Sequence, residues 1–275
     1  MLKSYYGIVQ ELIQILIPDR VCEPICTLRF VSTVLKTNPP IYRTLRHFGG
    51  NTHGLTDWRN GKVQIEILYS RSEGHRRALW AHELGHVFFD PVFSPESLQS
   101  WELNQVKEQQ NLSLSYMKDG FSQILDVYKK IGIERLCDLF AYELLLPAAF
   151  VPSIAATITD AYSLMRVADA WHISLSFLIL RIRECLDQDI VLVRLRNAFD
   201  RRWVITEIFG KLERWQPGDV IDEATGAVVG ALNSNETIRY VKLVRENDSV
   251  GHAFSICRKG NGAIALWREG EEEFL

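Results

Sequence analysis

Apolar residues recur along the chain with two different periods, which predict helices in one region and strands in another. Up to about residue 188 they recur mostly every three or four positions, as on one face of an α-helix. The N-terminal residues Ile8, Leu12 and Ile15 are an example. This spacing predicts helices over about residues 8–16, 22–36, 73–90, 121–130 and 133–147, and two shorter ones within 160–187.

Strict alternation predicts the strands. Val63, Ile65 and Ile67 alternate with less apolar positions after Asn60-Gly61, a tight-turn signal. The segment IYRTLRHF is a second candidate strand, and GGNTHG between the two is typical of a turn region. After residue 188 the apolar runs become short and β-rich: IVLVRLRN, RRWVITEIF, AVVGAL, TIRYVKLV and AIALW. Helices and strands together predict an α+β protein.

Two features bound the helical region. Asp90-Pro91 predicts the end of the helix that begins near residue 73. Residues 91–119 are polar and irregular, which favours a long loop or lid whose role the sequence does not define. The change to β-rich runs predicts a domain boundary near residue 188.

Composition and charge narrow the class of protein. The chain has 275 residues, 47% of them hydrophobic, which is enough for a substantial core. A net charge of -3 argues against a generally nucleic-acid-binding surface. The five cysteines form no CxxC pair, which fits a reduced protein better than a disulfide framework. With no signal peptide or membrane-length apolar run, we expect a soluble, cytoplasmic protein.

The segment AHELGHVFFD, residues 81–90, carries the strongest chemical signal. His82 and His86 are four residues apart on a predicted helix, so both imidazoles can reach one tetrahedral Zn²⁺ ion. Glu83 lies beside the first histidine, where a carboxylate can take a proton from water and pass it to a leaving amine. The alternative is coincidence, which places HExxH in roughly one chain in a hundred of this length.

The third metal ligand decides the kind of site. A metzincin needs Gly and His at positions that are here Phe89 and Val92, so that class is excluded. Glu134, on a later apolar helix, is a candidate ligand, and Asp138 one turn on can accept the second N–H of a ligand histidine. The alternative is that both residues are solvated charges on the surface of the helix. Glu143 is a rival ligand, but nine residues place it on the opposite face of the helix.

AHELGHVFF followed by ExxxDLFAYELLLP resembles the ImmA/IrrE family of bacterial and phage metallopeptidases, and MRVADAWHISLSFLILRIREC resembles the helices that follow in that family. The resemblance covers about residues 60–187 and extends loosely to the N-terminal helices. It implies a zinc-dependent, gluzincin-like fold. The implied substrate is a helix-turn-helix transcriptional repressor, cleaved to induce stress-response, phage or mobile-element genes.

Carried onto this chain, the resemblance implies metal ligands at His82, His86 and Glu134, a catalytic acid/base at Glu83, and Asp138 at the family's Asn/Asp position. The sequence departs from the family pattern at three places, none of them a ligand. Cysteine and leucine stand at positions 137 and 146, where the family usually has Ala and Met, and the segment between His86 and Glu134 is longer.

The resulting architecture has three parts: a zincin-like metallopeptidase domain (1–150), a helical, helix-turn-helix-like extension (151–188) and a smaller β-rich C-terminal domain (189–275). We expect the last to be a sensor or regulatory domain, because a destructive activity needs control and this part holds no recognisable catalytic set.

Several other residues are candidates for the site, each with a simpler alternative. His75, Tyr69 and Tyr142 are possible substrate or transition-state contacts, or else surface and core residues. Cys22 and Cys26, four residues apart, are possible sources of a thiolate that occupies the open position on zinc and inhibits the enzyme. Buried structural cysteines are the commoner case.

A basic cluster in the tail suggests a signal for regulation. Four arginines lie close to two aromatic residues: Arg194, Arg196, Arg201 and Arg202, with Phe199 and Trp203. Such a cluster can bind single-stranded DNA or a nucleotide, although a solvated strand face is the alternative.

The sequence therefore predicts a zinc metalloendopeptidase that cleaves a partner protein, by resemblance a helix-turn-helix repressor. Two alternatives are a non-enzymatic zinc-binding anti-repressor that sequesters its partner, and a general peptidase acting on short peptides. The anti-repressor needs the metal ligands but has no use for Glu83.

Overall fold

The computed structural model describes Val9 and residues 41–46, 53–59, 62–69, 72–93, 121–197, 203–211, 215–221, 238–244, 251–259 and 262–268. The helices predicted at 8–16 and 22–36 lie outside these residues apart from helical Val9, and so do the AVVGAL run and most of the segment 91–119. The chain divides into two compact units: residues 1–150 with 171–174, and residues 151–170 with 175–275.

The first unit contains a three-stranded mixed sheet in the order β1-β3-β2. Strand β3 (Lys62–Leu68) pairs in parallel with β1 (Ile41–Leu45) and antiparallel with β2 (Gly54–Arg59). The alternation in β3 has the predicted effect, because Ile65 and Ile67 are fully buried while their neighbours are partly exposed. Strand β2 was not predicted, since its first residue belongs to the GGNTHG segment.

Helix α1 (Glu73–Phe93) carries the HExxH motif and packs against β2 and β3. Ser72 caps its N-terminus, where the Ser72 Oγ accepts a hydrogen bond from the His75 N–H at 3.4 Å. The predicted end at Asp90-Pro91 is wrong, because the helix continues to Phe93. Proline disfavours helix at the preceding residue, but this preference does not stop α1.

Helix α2 (Phe121–Leu145) packs along α1 and consists of two helical segments. They meet at Gly132, whose φ of 78° and ψ of 171° interrupt the helix as the sequence predicted. A positive φ is costly for residues with a Cβ atom, so glycine suits this break. The rings of Phe89 in α1 and Phe140 in α2 meet edge to face, with centroids 5.7 Å apart.

The second unit contains helices α3 (Val151–Thr157), α4 (Ala161–Ala170) and α5 (Leu175–Leu186). Helices α4 and α5 confirm the two short helices predicted within 160–187, and they meet at an angle of 99°. Asp160 caps α4, because its Oδ1 accepts a hydrogen bond from the Ser163 N–H at 2.7 Å. Helix α5 buries one broad face that includes the whole of Arg181.

Five strands form an antiparallel sheet in the order β5-β4-β8-β7-β6. They are β4 (Ile190–Asn197), β5 (Trp203–Phe209), β6 (Ile238–Val244), β7 (Gly251–Lys259) and β8 (Gly262–Arg268). Helix α5 packs against β4, and α4 is tied to β7 by a 2.8 Å hydrogen bond from the Ala161 N–H to the Ser255 Oγ. The sheet and helices confirm the predicted α+β class.

The core of this sheet contains two buried tryptophans, Trp203 and Trp215, with Phe254 and smaller apolar residues such as Ala265, and the partly buried Trp267 packs against it. The predicted 151–188 extension and 189–275 domain fall mostly within this one unit. No single described helix is long and apolar enough to span a bilayer. Among the described helices, two bent pairs pass the test of length and composition together: Val127–Leu145 with Ala148–Thr157, and Ala161–Ala170 with Leu175–Leu186.

Candidate metal centre

Two helices bring the predicted metal ligands together. His82 and His86 lie one turn apart on α1, and Glu134 begins the long C-terminal segment of α2. One ligand atom from each of these three residues falls within 4.8 Å of the other two. A group of donors this close can hold one metal ion.

The Glu134 carboxylate lies close to both imidazoles. The Glu134 Oε2 lies 3.2 Å from the His82 Nε2, and its Oε1 lies 3.5 Å from the His86 Nε2. Bonds of 2.0–2.1 Å in a tetrahedron place neighbouring ligand atoms about 3.4 Å apart. The Glu134 side chain is 74% exposed, so the site opens to solvent on this side.

Aspartates fix the orientation of both imidazoles. The Asp138 Oδ1 lies 2.9 Å from the His82 Nδ1, and the Asp90 Oδ1 lies 3.0 Å from the His86 Nδ1. An ionised carboxylate only accepts hydrogen bonds, so each Nδ1 carries the proton and donates it. Both Nε2 atoms are then directed toward Glu134, as metal binding requires.

Glu83 is placed beside this group but points into the protein, with 5% of its surface exposed. The Thr56 Oγ1 in β2 lies 2.8 Å from the Glu83 Oε2 and 3.0 Å from the Glu83 backbone oxygen. A Cβ atom on Gly54, two residues earlier in β2, would overlap the Glu83 carboxylate. Glycine therefore allows the strand to approach Glu83 closely, and threonine holds its side chain.

The local environment shifts the pKa values of these groups. Burial raises the pKa of Glu83, and the hydrogen bond from Thr56 offsets part of this rise. Burial lowers the pKa of His82, but the hydrogen bond and charge of Asp138 outweigh it, so the net shift is upward. Burial likewise lowers the pKa of His86, and the hydrogen bond and charge of Asp90 outweigh it, so this pKa is also raised. The raised pKa of Glu83 suits a group that must both take up and release a proton.

Close packing of the two helices depends on Gly85, opposite Cys137. A Cβ atom at position 85 would lie 3.0 Å from the Cα, Cβ and Sγ atoms of Cys137. Burial, reinforced by the charges of nearby carboxylates, raises the pKa of the Cys137 thiol. Cys137 is fully buried and is not part of the group of possible ligands found among the described residues, so we assign it to packing.

The remaining predicted site residues are placed as follows. His75 is exposed in the first turn of α1. Tyr69 is 59% exposed, with the Arg76 guanidinium 5.9 Å from its ring centroid. The Tyr142 ring packs under Arg135, at 5.7 Å. The predicted role of these three residues as substrate or transition-state contacts stays a prediction. Cys22 and Cys26 lie outside the described residues.

The rival ligand Glu143 is fully buried, where its carboxylate accepts a hydrogen bond from the Ala148 N–H at 3.3 Å. It closes the turn after α2 and is absent from the ligand group. In the basic cluster, the Arg194 Nη1 lies 2.6 Å from the Glu207 Oε2, and its guanidinium lies 5.2 Å from the Phe209 ring centroid. Arg196 and Trp203 are described, whereas Phe199, Arg201 and Arg202 are not.

Two residues of the site were missed in the sequence. Thr56 lies on the unpredicted strand β2, although the Asn60-Gly61 turn signal implied a strand on both sides. Asp90 was interpreted only as a helix terminator with Pro91. Its spacing of four residues from His86 was the available signal, because such residues lie one turn apart on a helix.

Comparison with known proteins adds little to this geometry. No protein-family model matches the chain, and no curated protein matches it either. Among solved structures, a Mycobacterium tuberculosis transcriptional regulator is similar at 11% identity and a TM-score of 0.47. The alignment covers 94% of this chain and 75% of that one.

Proposed function

We propose that this chain is a zinc-dependent metallopeptidase with a zincin-like catalytic unit. The observation that carries the proposal is the convergence of the His82 and His86 Nε2 atoms on the Glu134 carboxylate. Glu83, a further buried carboxylate, lies next to His82 in the chain but is held separately, by Thr56. Three ligands and one distinct carboxylate are the set that metal-assisted hydrolysis needs.

Zinc is the proposed metal because of the donor set. Imidazole nitrogen suits zinc, and two histidines with one glutamate form a set of three protein ligands that leaves a fourth position open. An open position distinguishes catalytic from structural zinc sites. The site opens to solvent beside the exposed Glu134 side chain, which is consistent with access by a substrate.

Zinc bound here would polarise the scissile carbonyl group and make a water molecule more acidic. Glu83 then takes the proton from this water and delivers it to the nitrogen of the leaving amine. Thr56 keeps the Glu83 carboxylate in place during this transfer. Asp138 and Asp90 hold the imidazole rings, and Arg135 supports Asp138, whose Oδ2 lies 3.6 Å from the Arg135 Nη1.

The proposed substrate is a partner protein, and the sequence resemblance to the ImmA/IrrE family favours a helix-turn-helix repressor. The second unit, with its five-stranded sheet, is the proposed regulatory part, and single-stranded DNA or a nucleotide is the candidate signal. Arg194 is already engaged with Glu207 and Phe209, so Arg196, which is exposed, is the better candidate for contact with a phosphate.

The decisive experiment compares the full chain with its Glu83→Gln variant. Zinc content is measured by mass spectrometry, and both proteins are incubated with candidate helix-turn-helix repressors, beginning with any that is encoded beside the gene. We expect equal zinc in both and cleavage only by the wild type, because glutamine cannot take up the proton. Equal binding without cleavage would instead support the anti-repressor alternative. Equally fast cleavage of unrelated short peptides would support a general peptidase.

A further inference from the structure

Asp90 occupies a position that neither the helix pattern nor the HExxH motif explains. It follows His86 by four residues, and α1 continues past it to Phe93. Helical side chains lean toward the N-terminus, so a residue at this spacing reaches back over the preceding turn. The Asp90 Oδ1 accordingly lies 3.0 Å from the His86 Nδ1.

This contact determines which nitrogen of His86 is free. The Asp90 carboxylate accepts the Nδ1–H, so Nε2 is left without a proton when the imidazole is neutral. The Nε2 atom is the one that faces Glu134, at 3.5 Å. The opposite tautomer would direct an N–H at the metal position and prevent coordination.

His82 shows the same arrangement with a carboxylate from the other helix. Asp138 in α2 lies 2.9 Å from the His82 Nδ1, and Arg135 supports its second oxygen. Asp90 lies instead on the same helix as the histidine that it contacts. The two histidines thus have independent supports, and the loss of one support leaves the other intact.

Two other roles for Asp90 fit the geometry less well. A ligand role would require it to leave the Nδ1 side of the ring, which is opposite the Nε2 side that faces Glu134. A surface ion pair one helical turn apart would have no influence on metal affinity beyond its charge. These roles predict different results in the experiment below.

We propose that Asp90 is a positioning residue of the metal centre, which holds His86 as the Nδ1–H tautomer and directs its Nε2 at the ion. The inference rests on the proposed zinc site and adds a support that the motif does not contain.

The test uses the full chain with Asp90→Ala, Asp90→Asn and, as a matched control, Glu73→Ala. Glu73 is an exposed carboxylate in the first turn of α1, so its removal changes the charge of the same helix without touching a histidine. Zinc affinity is measured by competition with a chromophoric chelator. The His86 tautomer is measured in metal-free protein by long-range proton–nitrogen spectra, at a pH high enough for the imidazole to be neutral, with its signals identified by their loss in His86→Gln.

We expect Asp90→Ala to weaken zinc binding about 10- to 100-fold and to leave His86 in a mixture of tautomers. Asp90→Asn should lose less affinity, because its amide oxygen still accepts the Nδ1–H, and Glu73→Ala should bind like the wild type. The asparagine variant has nearly the same shape as aspartate, so it decides the matter if the alanine variant does not fold.

Wild-type affinity and an unchanged tautomer in Asp90→Ala would overturn the role of Asp90. If only Asp90→Asn folds, wild-type zinc affinity in that variant would overturn it, because a neutral amide oxygen accepts more weakly than a carboxylate and a measurable loss is expected. An equal loss of zinc affinity in Glu73→Ala would show that the effect of Asp90 is due only to its charge, which would also overturn the positioning role. If the wild type itself bound no zinc at this site, the proposed function would fail and the inference with it. The wild-type measurement thus separates the two failures.

Discussion

Replacing Thr56 by valine tests whether the strand beside the helix takes part in the chemistry. Valine keeps the branched shape of threonine but removes the hydroxyl that lies 2.8 Å from the Glu83 Oε2. Thr56 contacts Glu83 rather than a metal ligand, so zinc content should not change. The effect should fall on Glu83, the carboxylate that we propose moves the proton.

The magnitude follows from the kind of hydrogen bond. A bond to a charged group contributes about 1.5–3 kcal/mol, and about 1.4 kcal/mol corresponds to a tenfold change in rate. If this bond holds the carboxylate in its reactive position, so that it stabilises the transition state more than the free enzyme, its loss should lower kcat/KM about 10- to 100-fold. Because the Thr56 hydroxyl lowers the pKa of Glu83, its removal should raise that pKa further. The acidic limb of the pH–rate profile should therefore move to higher pH, and the loss should be largest at low pH.

The assay is cleavage of the proposed repressor substrate by wild type, Thr56→Val and Thr56→Ser across a range of pH. Serine retains the hydroxyl and should restore most of the rate and the original position of the acidic limb. Thermal unfolding of all three proteins controls for packing. The reasoning is refuted if Thr56→Val cleaves at the wild-type rate with an unchanged profile, or if Thr56→Ser is as slow as Thr56→Val.

Further substitutions test separate parts of the site. Glu83→Gln should keep zinc and lose cleavage, and retained cleavage would contradict its role in proton transfer. Glu134→Ala should lose zinc, whereas Asp138→Ala should lose only about 10- to 100-fold in zinc affinity. Metal analysis of both variants tests this. Full zinc content in Glu134→Ala would show that another residue is the third ligand. Gly85→Ala should destabilise the fold by about 1–3 kcal/mol in urea unfolding, because its Cβ would lie 3.0 Å from Cys137. An unchanged midpoint would mean that the helices adjust without cost.

The sequence was informative where a single local rule controls the structure. The break between the two segments of α2 was predictable because one glycine, Gly132, takes a conformation that other residues avoid. The ligand pair on α1 was predictable because helical spacing alone brings His82 and His86 to one face.

Contacts between elements distant in sequence were less predictable. Thr56 reaches Glu83 across 27 residues, and nothing in a period-2 or period-3.6 pattern encodes which strand will lie against a helix. Strand β2 was missed because Gly54 disfavours a strand by propensity, yet this glycine is needed where the strand approaches Glu83. Strand β7 (Gly251–Lys259) was missed too, because this segment is not among the predicted β-rich runs. In both cases the propensity of the residues alone did not decide whether the segment forms a strand, and packing against the rest of the fold did.

The most direct test of the account is the position of zinc in a crystal of the full chain, located by anomalous scattering at the zinc absorption edge. The account predicts one peak in the first unit, about 2.0–2.2 Å from the Nε2 atoms of His82 and His86 and from one oxygen of Glu134. A fully zinc-loaded crystal with no peak among these three residues, or with its peak at other ligands, would contradict it.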